Sequence, residues 1–336
     1  MIGIIKIHRQ KPELLIALPR LLARLHPTHD KYKDLENQLY RIEAGYAGEC
    51  RVDKYLETIE FPEPVSIFTD LQLVITPGFT IQIDTLILTP SHAIILEIKN
   101  IAGTLSYISH PPHFESIYSE NKSIVINCPL MQLNNNKAGL EIWFKRNDYN
   151  LQITGLIVLA TNTLVKNAPS EMPIVYAKHL RSYLRKWEKG KAPMTLSQFQ
   201  RMLDELNKDR LWYNPYPLAG KYQLDLGSIL QGNLCANCNS QLFRKNKILW
   251  TCRNCKLDIK EPYVDSMKDW YMLFKGTITN QECRDFLKLK DKHAARHILR
   301  SLPLIRIGKS KATQYTWDYK VSPSQLKKIS ILSSKN

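Results

Sequence analysis

Apolar and polar residues alternate with a period of two across residues 79–88, whose sequence is FTIQIDTLIL. This pattern predicts a half-buried β-strand. A second apolar run, HAIILEIK, follows at residues 92–99, and Thr89-Pro90-Ser91 between the runs provides residues that favour a turn. The two runs are therefore predicted to pair as a β-hairpin whose turn is centred between Pro90 and Ser91.

The predicted hairpin brings acidic side chains together in apolar surroundings. In this register Asp84 lies opposite Glu97, and Gln82 lies opposite Lys99. The Cβ atoms of directly opposite residues are about 4.5–5.5 Å apart, so two carboxylates would repel each other unless a cation lay between them. A divalent metal ion bound by Asp84 and Glu97, with Lys99 beside it, would remove the repulsion. The register is a hypothesis, because a slip of one residue would turn one set of side chains to the other face.

An Asp followed by Glu-x-Lys on the next strand is the minimal set for metal-dependent phosphodiester cleavage. Asp84 and Glu97 would hold Mg²⁺ or Mn²⁺ against a phosphate oxygen, where the ion acts as a Lewis acid and lowers the pKa of a bound water. Lys99 would orient the attacking water and stabilise charge that develops on phosphorus. The motif alone is weak, since exposed strands often carry Glu and Lys. Here, however, isoleucine and leucine flank the acidic residues, and charged residues rarely occupy such positions without a function.

Two predicted helices flank the hairpin in the sequence. Apolar residues recur at helical spacing over residues 36–57, and Pro129 begins a second predicted helix. With these helices, the chain resembles the nuclease-related domain (NERD) family, which is placed in the PD-(D/E)xK nuclease superfamily. The resemblance covers about residues 36–165, and four blocks carry it: Gly45-x-x-Gly48-Glu49, Ile81-Gln82-Ile83-Asp84, Glu97-Ile98-Lys99-Asn100 with Gly103, and Pro129-x-x-Gln132.

The resemblance implies a fold and a set of roles. It implies an α/β fold, with a restriction-endonuclease-like mixed sheet flanked by helices. Asp84 and Glu97 would bind the metal ion, and Lys99 would be the catalytic lysine. Glu49 would add an acidic group from the first helix, and Gln132 an accessory polar group from the later one. The residues themselves leave alternatives open: Glu49 on a helix surface, paired with a nearby basic residue, and Gln132 as a helix cap or in solvent.

Four cysteines with the spacing C-x₂-C, thirteen residues, C-x₂-C form a second motif: Cys235, Cys238, Cys252 and Cys255. Two such knuckles suit a tetrahedral, structural Zn²⁺ site with no open coordination position. Two short strands predicted between the knuckles make this segment a zinc ribbon. The alternatives are two disulfides or four free thiols. No signal peptide is visible, so we expect a reducing, cytoplasmic compartment in which disulfides are disfavoured.

The segment that follows the ribbon is predicted to be a winged helix. A helix over residues 265–274, a capping box at Thr279–Glu282 and a helix capped by Asp291 would precede a hairpin formed by residues 304–307 and 314–317. The second helix of such a pair enters the major groove of DNA. A partner-binding or purely structural helical domain is the alternative. The residues predicted to contact DNA lie on the last helix and the hairpin tip: Lys292, His293, Arg296, His297, Arg300, Lys309 and Lys311.

Charge separates the two halves of the chain. Residues 231–336 contain 21 Lys and Arg against 8 Asp and Glu, whereas residues 1–230 contain 26 against 23. Most of the net charge of +16 therefore lies on the ribbon and the predicted winged helix. Because phosphate contacts supply most non-specific affinity for DNA, this distribution favours a polyanionic partner, which we expect to be double-stranded DNA.

The remaining segments complete the predicted layout. No apolar run is long enough to span a membrane. A proline-rich tract, Trp212-Tyr213-Asn214-Pro215-Tyr216-Pro217, suits a linker, whose aromatic rings would pack at a domain junction or stack on bases. The oligomeric state stays open. The predicted boundaries are an N-terminal helical extension at 1–35, a nuclease domain at 36–165, a helical and linker region at 166–230, a zinc ribbon at 231–260, a winged helix at 261–320 and a basic tail at 321–336.

Together these features predict a metal-dependent endonuclease or DNA-processing nuclease that its C-terminal modules deliver to DNA. Three alternatives remain at this stage. The nuclease core could serve as a scaffold in a non-catalytic DNA-binding protein, or the enzyme could act on RNA. The ribbon and winged helix could instead bind a protein partner.

Overall fold

The computed structural model describes residues 7–119, 122–185, 194–246 and 249–317. The chain divides into two compact units. The first comprises Met1–Pro12 and Arg41–Tyr213, and the second comprises Glu13–Tyr40 and Asn214–Asn336. The segment 1–35, which the sequence groups as one extension, is thus shared between the units.

Two sheets form the strand framework of the first unit. A mixed five-stranded sheet has the order β1-β2-β3-β7-β9, in which β1, β2 and β3 are antiparallel and β3, β7 and β9 are parallel. A smaller sheet has the order β6-β5-β4-β8. The strand bounds are β1 Ser66–Thr76, β2 Phe79–Leu88, β3 His92–Lys99, β4 Thr104–Ser109, β5 Pro112–Ser119, β6 Lys122–Ile126, β7 Gln152–Leu159, β8 Leu164–Lys166 and β9 Ile174–Tyr176.

Helices cover both faces of the five-stranded sheet. On one face, α3 (Pro129–Arg146) and α5 (Leu196–Asp209) pack against apolar residues of β1 and β2. On the other face, the C-terminal part of α2 (Tyr32–Leu56) and the short α4 (Leu180–Leu184) pack against β3 and β7. β3 contributes to both cores, since alternate residues of a strand point to opposite faces. The predicted mixed α/β fold is confirmed.

The register of the β2–β3 hairpin is as predicted near the turn. The pairs run from Leu88 with Ala93 to Thr85 with Leu96, and the ladder ends there. The predicted pairing of Gln82 with Lys99 is wrong, and Asp84 and Glu97 are not ladder partners either, because the β2–β3 ladder ends at the pair Thr85 with Leu96. Gln82 pairs with Gln72 of β1, and Lys99 pairs with Leu159 of β7.

The edge of the sheet lies beyond β7. The apolar run at residues 153–159 forms β7, which lies inside the sheet. β9 pairs in parallel with β7 and forms the edge. A three-residue strand carries too short a pattern to establish its position from the sequence, whereas the burial of β7 on both faces is what a long apolar run indicates.

The second unit contains a three-stranded antiparallel sheet and a helical core. β10 (Leu242–Arg244), β11 (Leu249–Cys252) and β12 (Asp258–Lys260) pair in that order. They are followed by α7 (Tyr263–Leu273), α8 (Asn280–Phe286), α9 (Lys292–Ser301) and an antiparallel hairpin. The other elements of this unit are α1 (Glu13–Leu22), α6 (Leu218–Lys221), and the hairpin strands β13 (Ile305–Ile307) and β14 (Gln314–Thr316).

Local sequence signals account for the helix starts in this unit. Thr279 and Glu282 form the predicted capping box of α8, and the side chain of Asp291 accepts hydrogen bonds from two backbone amides at the start of α9. α1 packs on α7 through the buried carboxylate of Asp269, which binds both Arg20 and Arg24. In the part of the chain that the structure describes, no helix has the length and apolar character needed to cross a bilayer.

Candidate active site

Asp84 lies where the β2–β3 ladder ends. Its Oδ2 accepts a hydrogen bond from the backbone N–H of Ile98 at 2.7 Å. The carboxylate thus replaces the backbone carbonyl of β2 that would accept this hydrogen bond if the ladder continued. On the opposite side, Asp70 of β1 falls between the pairs Thr69 with Thr85 and Leu71 with Ile83. Asp70 has a left-handed backbone, with φ of 47°, at the position directly across from Asp84. The sheet is therefore locally interrupted on both sides of Asp84.

Glu97 and Lys99 lie on the face of β3 that α3 covers. Glu97 is 3% exposed, and its Oε1 accepts a hydrogen bond from Lys99 Nζ at 2.8 Å. Lys99 Nζ also donates to Oε1 of Gln132 in the first turn of α3, at 2.8 Å. Gln132 therefore contacts the lysine and does not cap its helix. The structure brings the Glu-x-Lys pair and Gln132 into one hydrogen-bonded group.

Asn136 belongs to the same group and was missed from the sequence. It lies one turn after Gln132 on α3 and is 6% exposed. Its Nδ2 donates to the backbone carbonyl of Gln82 at 2.8 Å and lies 3.4 Å from Oε2 of Glu97. The spacing of four residues from Gln132, which places both side chains on one helix face, was the available signal.

Glu49 on α2 is held by an arginine from the start of the chain. Arg9 Nη1 lies 2.8 Å from Oε2 of Glu49, while Nε and Nη2 of Arg9 bind the two oxygens of Asp53, one turn along α2. Arg9 also donates to the backbone carbonyl of Asp84 at 3.0 Å and to the hydroxyl of Thr85 at 2.7 Å. Its side chain is 3% exposed. The nearby basic residues of α2 considered in the sequence are therefore not the partners of Glu49, and Arg9 was not predicted.

Gly48, the glycine that precedes Glu49, has a steric role. A Cβ atom at this position would lie 2.4 Å from Cβ of Asn100 at the end of β3. Such a distance is far below van der Waals contact, so only glycine allows α2 to approach the strand this closely. A Cβ atom at Gly45 of the same motif would have no atom within 4 Å, so steric contact does not require a glycine at this position.

Burial and mutual repulsion set the electrostatics of the carboxylates in this group. Burial, and then repulsion from Glu97 and Glu49, raises the pKa of Asp84 to about 8. Burial also raises the pKa of Glu49, although Arg9 opposes this change. Burial and repulsion thus outweigh the attraction of Lys99 for the Asp84 carboxylate, and oxygen donors of this kind suit Mg²⁺ or Mn²⁺. Their oxygens are not tightly clustered, because among the described residues only the four cysteines bring three or more ligand atoms within 4.8 Å of one another.

The cysteine quartet lies at the base of the three-stranded sheet of the second unit. Sγ of Cys235 lies 3.6 Å from Sγ of Cys255, and Sγ of Cys238 lies 3.4 Å from Sγ of Cys252. These distances exclude disulfides and are close to the separation of two sulfurs on one tetrahedral zinc ion, about 3.8 Å for a Zn–S bond of about 2.3 Å. Hydrogen bonds from the side chain and backbone of Ser240 lower the pKa of Cys238 to about 6. The cluster therefore fits zinc.

A groove lined by cations runs between α8, α9 and the β13–β14 hairpin. Its volume is about 1040 Å³, and no Asp or Glu is among the described residues that line it. Five cationic side chains line the groove: Arg284, Lys292, Arg296, Arg300 and Arg306. Arg284 and Arg306 were not predicted.

The other basic residues predicted to bind DNA are not brought to this groove. His293 and His297 are exposed on α9 and do not line it, and Lys309 is exposed beside the hairpin tip without lining it either. The side chain of Lys311 and the tail at 321–336 lie outside the described residues.

Comparison with known proteins gives a family match within the first unit only. Residues 44–160 match the family model described as the nuclease-related domain. The matched range contains the four motif blocks that carry the resemblance in the sequence, so that resemblance is confirmed for this part of the chain. No curated protein and no solved structure was found to match the chain.

Proposed function

We propose, from the premise that residues 44–160 are a nuclease-related domain, that this protein is a metal-dependent nuclease of the PD-(D/E)xK type that hydrolyses phosphodiester bonds in DNA. The observation that carries the proposal is the group formed by Asp84, Glu97 and Lys99 at the interrupted end of a hairpin. A surface strand would not bury Glu97 or raise the pKa of Asp84 to about 8.

Asp84 and Glu97 would hold Mg²⁺ or Mn²⁺, with Glu49 as an additional acidic group. The bound ion would supply Lewis acidity toward a phosphate oxygen. Lys99 is positioned by Glu97 and Gln132, so its ammonium group is directed by two hydrogen bonds and does not swing freely. It would orient the attacking water and stabilise negative charge on the phosphate. Asn136 would keep the Glu97 carboxylate in place.

The second unit would deliver the enzyme to DNA. Its helices α7, α8 and α9 and the following hairpin have the order of a winged helix, and we propose that residues 261–320 form one behind a zinc ribbon at 231–260. The cation-lined groove would contact phosphates of a double-stranded segment through Arg284, Arg296 and Arg300. Four unbridged cysteines that fit a zinc site also favour a reducing compartment, which is consistent with a cytoplasmic protein.

A cleavage assay with purified full-length protein tests the proposal. Linear duplex, supercoiled, single-stranded and branched DNA, and an RNA of matched sequence, would be incubated with Mg²⁺, with Mn²⁺ and without divalent metal. Asp84→Ala removes one proposed metal ligand, and Asp204→Ala, which changes an exposed carboxylate on α5, is the matched control. We expect metal-dependent cleavage by the parent protein and the control, and a loss of at least a hundredfold in Asp84→Ala.

The assay also identifies the alternatives. Equal background cleavage by the parent and Asp84→Ala, with DNA still bound, would mean that the nuclease fold is a scaffold in a DNA-binding protein. Cleavage of RNA in preference to every DNA substrate would identify an RNA-directed enzyme.

A further inference from the structure

An exposed tryptophan lies on the edge of the sheet that carries the candidate active site. Trp212 is 62% exposed, although it occupies the proline-rich tract that the sequence would also allow to pack at a domain junction. The guanidinium of Arg210 lies 4.2 Å from the centroid of the indole ring, a cation–π arrangement. One of the largest apolar rings of the chain is therefore presented to solvent instead of being buried.

The backbone that carries Trp212 is fixed to β1, the edge strand. Leu211 N donates to the backbone carbonyl of Gln72 at 2.9 Å, so residues 210–212 lie along the free edge of that strand. Arg210 donates to the backbone carbonyls of Thr69 and Asp70. The helix before this segment, α5, is anchored by a hydrogen bond from Trp143 Nε1 to Asp209 at 2.9 Å. Hydrogen bonds to β1 and α3 thus hold the backbone that carries the ring.

This edge lies one strand away from Asp84. Asp70 lies on β1, and its backbone carbonyl accepts a hydrogen bond from Arg210. In the register of the sheet it is directly opposite Asp84 of β2. The carboxylate of Asp70 accepts a hydrogen bond from Gln82 at 2.8 Å, and the backbone carbonyl of Gln82 binds Asn136 beside Glu97. Contacts therefore run without a break from Trp212 to the proposed catalytic carboxylates. Adjacent strands are about 4.8 Å apart, and residues 210–212 lie beyond β1, so they are about 10 Å from β2. One or two nucleotides next to a scissile phosphate would span this distance.

We propose that Trp212, backed by Arg210, is a stacking platform for an unpaired nucleobase of the substrate, next to the phosphate that is cleaved. The inference rests on the proposed nuclease function and narrows its substrate class. An indole ring stacks on any base because every base has a π-face, but a base inside a duplex is already covered by its neighbours. The platform therefore selects a strand that is unpaired at the cleavage site, such as a single-stranded end or fork.

Photo-crosslinking tests the contact without requiring cleavage. Full-length protein carrying Asp84→Ala would be irradiated with a short single-stranded oligonucleotide that contains 5-iododeoxyuridine, and separately with the same strand in a duplex. We expect an adduct on Trp212 with the single strand and little with the duplex, mapped by mass spectrometry. Adducts only on residues elsewhere in the chain would overturn the proposal.

Affinity measurements give an independent outcome. At elevated salt, which weakens phosphate contacts, Trp212→Ala should lower the affinity for the single strand about tenfold, because stacking on one aromatic ring contributes on that scale. Trp212→Phe should recover most of the loss. Tyr40→Ala, which removes an aromatic ring that is 72% exposed on α2, should leave the affinity unchanged. Equal affinities for the parent and Trp212→Ala would overturn the platform.

The two proposals fail in different ways. If no substrate is cleaved but Trp212 crosslinks to the single strand, the contact between Trp212 and an unpaired base stands, and the nuclease proposal fails. If the protein cleaves DNA with metal and neither the adduct nor the affinity change is seen, the nuclease stands and the platform is wrong.

Discussion

Replacing Asp84 by asparagine should stabilise the metal-free protein, even though Asp84 is one of the two residues that we propose as metal ligands. The carboxylate is buried and lies close to Glu97 and Glu49, and these effects raise its pKa to about 8. Asparagine removes the negative charge, while its amide oxygen can still accept the hydrogen bond from Ile98. The change therefore relieves repulsion without breaking the contact that ends the ladder.

The sign and size of the effect follow from the two pKa values. Between the ordinary aspartate pKa of 3.8 and the raised pKa of about 8, the folded state keeps a proton on Asp84 that the unfolded state has lost. The folded protein binds more protons in this window, so its free energy of unfolding falls as the pH rises, by at most about 1.4 kcal/mol per pH unit. Because solvent screens part of the repulsion, we expect a total loss of about 2–3 kcal/mol across the window.

Hydrogen exchange of β2 and β3 measures this stability in the first unit alone. Exchange would be followed by mass spectrometry at several pH values, with zinc retained and no other divalent metal added, and corrected for the intrinsic pH dependence of exchange. The parent protein should lose protection toward pH 8, whereas Asp84→Asn should not, and saturating Mn²⁺ should protect the parent alone. Asp204→Asn on α5 is the control for loss of an exposed carboxylate. A parent protein that keeps its protection at high pH without metal would refute the argument that the carboxylates repel each other.

Three further changes test other parts of the structure. Arg9→Met leaves Glu49 and Asp53 without their cation and should lower the free energy of unfolding, measured by urea denaturation, by about 3–5 kcal/mol. Arg9→Lys should recover only part of this loss. An unchanged urea midpoint in Arg9→Met would contradict the role of Arg9. Cys252→Ser should abolish the zinc content found by elemental analysis and expose the β10–β12 sheet to proteolysis, and retention of zinc would contradict a four-cysteine site. Arg296→Ala combined with Arg300→Ala should reduce the affinity for duplex DNA and lower the magnitude of the slope of log K against log salt concentration by roughly 2. An unchanged slope would exclude the groove as the site of phosphate contact.

Local patterns in the sequence were sufficient wherever the structure is itself local. The alternation of residues 79–88 and the turn at 89–91 establish the hairpin register near the turn, because burial of one face penalises any slip. The capping residues Thr279 and Asp291 mark the starts of α8 and α9, since their side chains satisfy amides that no helix can satisfy internally. The cysteine spacing likewise identifies its own cluster.

The residues that were missed act across long separations. Arg9 lies 40 residues before Glu49 and 75 before Asp84, in a polar segment with no periodicity to place it. Asp70 has a left-handed backbone although it is not a glycine, so the sequence gives no signal for this conformation. Nothing in a strand pattern predicts where a ladder breaks, because the break depends on tertiary partners that replace the lost backbone hydrogen bonds.

Those partners explain why the interruption at Asp84 can persist. A break in a sheet leaves backbone carbonyls without amide partners, and a buried carbonyl without a partner is costly. Here Arg9 donates to the carbonyl of Asp84, and Arg210 donates to the carbonyl of Asp70 on β1. Two arginines from segments far apart in the chain therefore satisfy the carbonyls on both strands of the interruption, and the same two side chains position Glu49 and Trp212. The contacts that stabilise the break in the sheet thus also hold the acidic group and the aromatic ring that we propose for metal and base recognition.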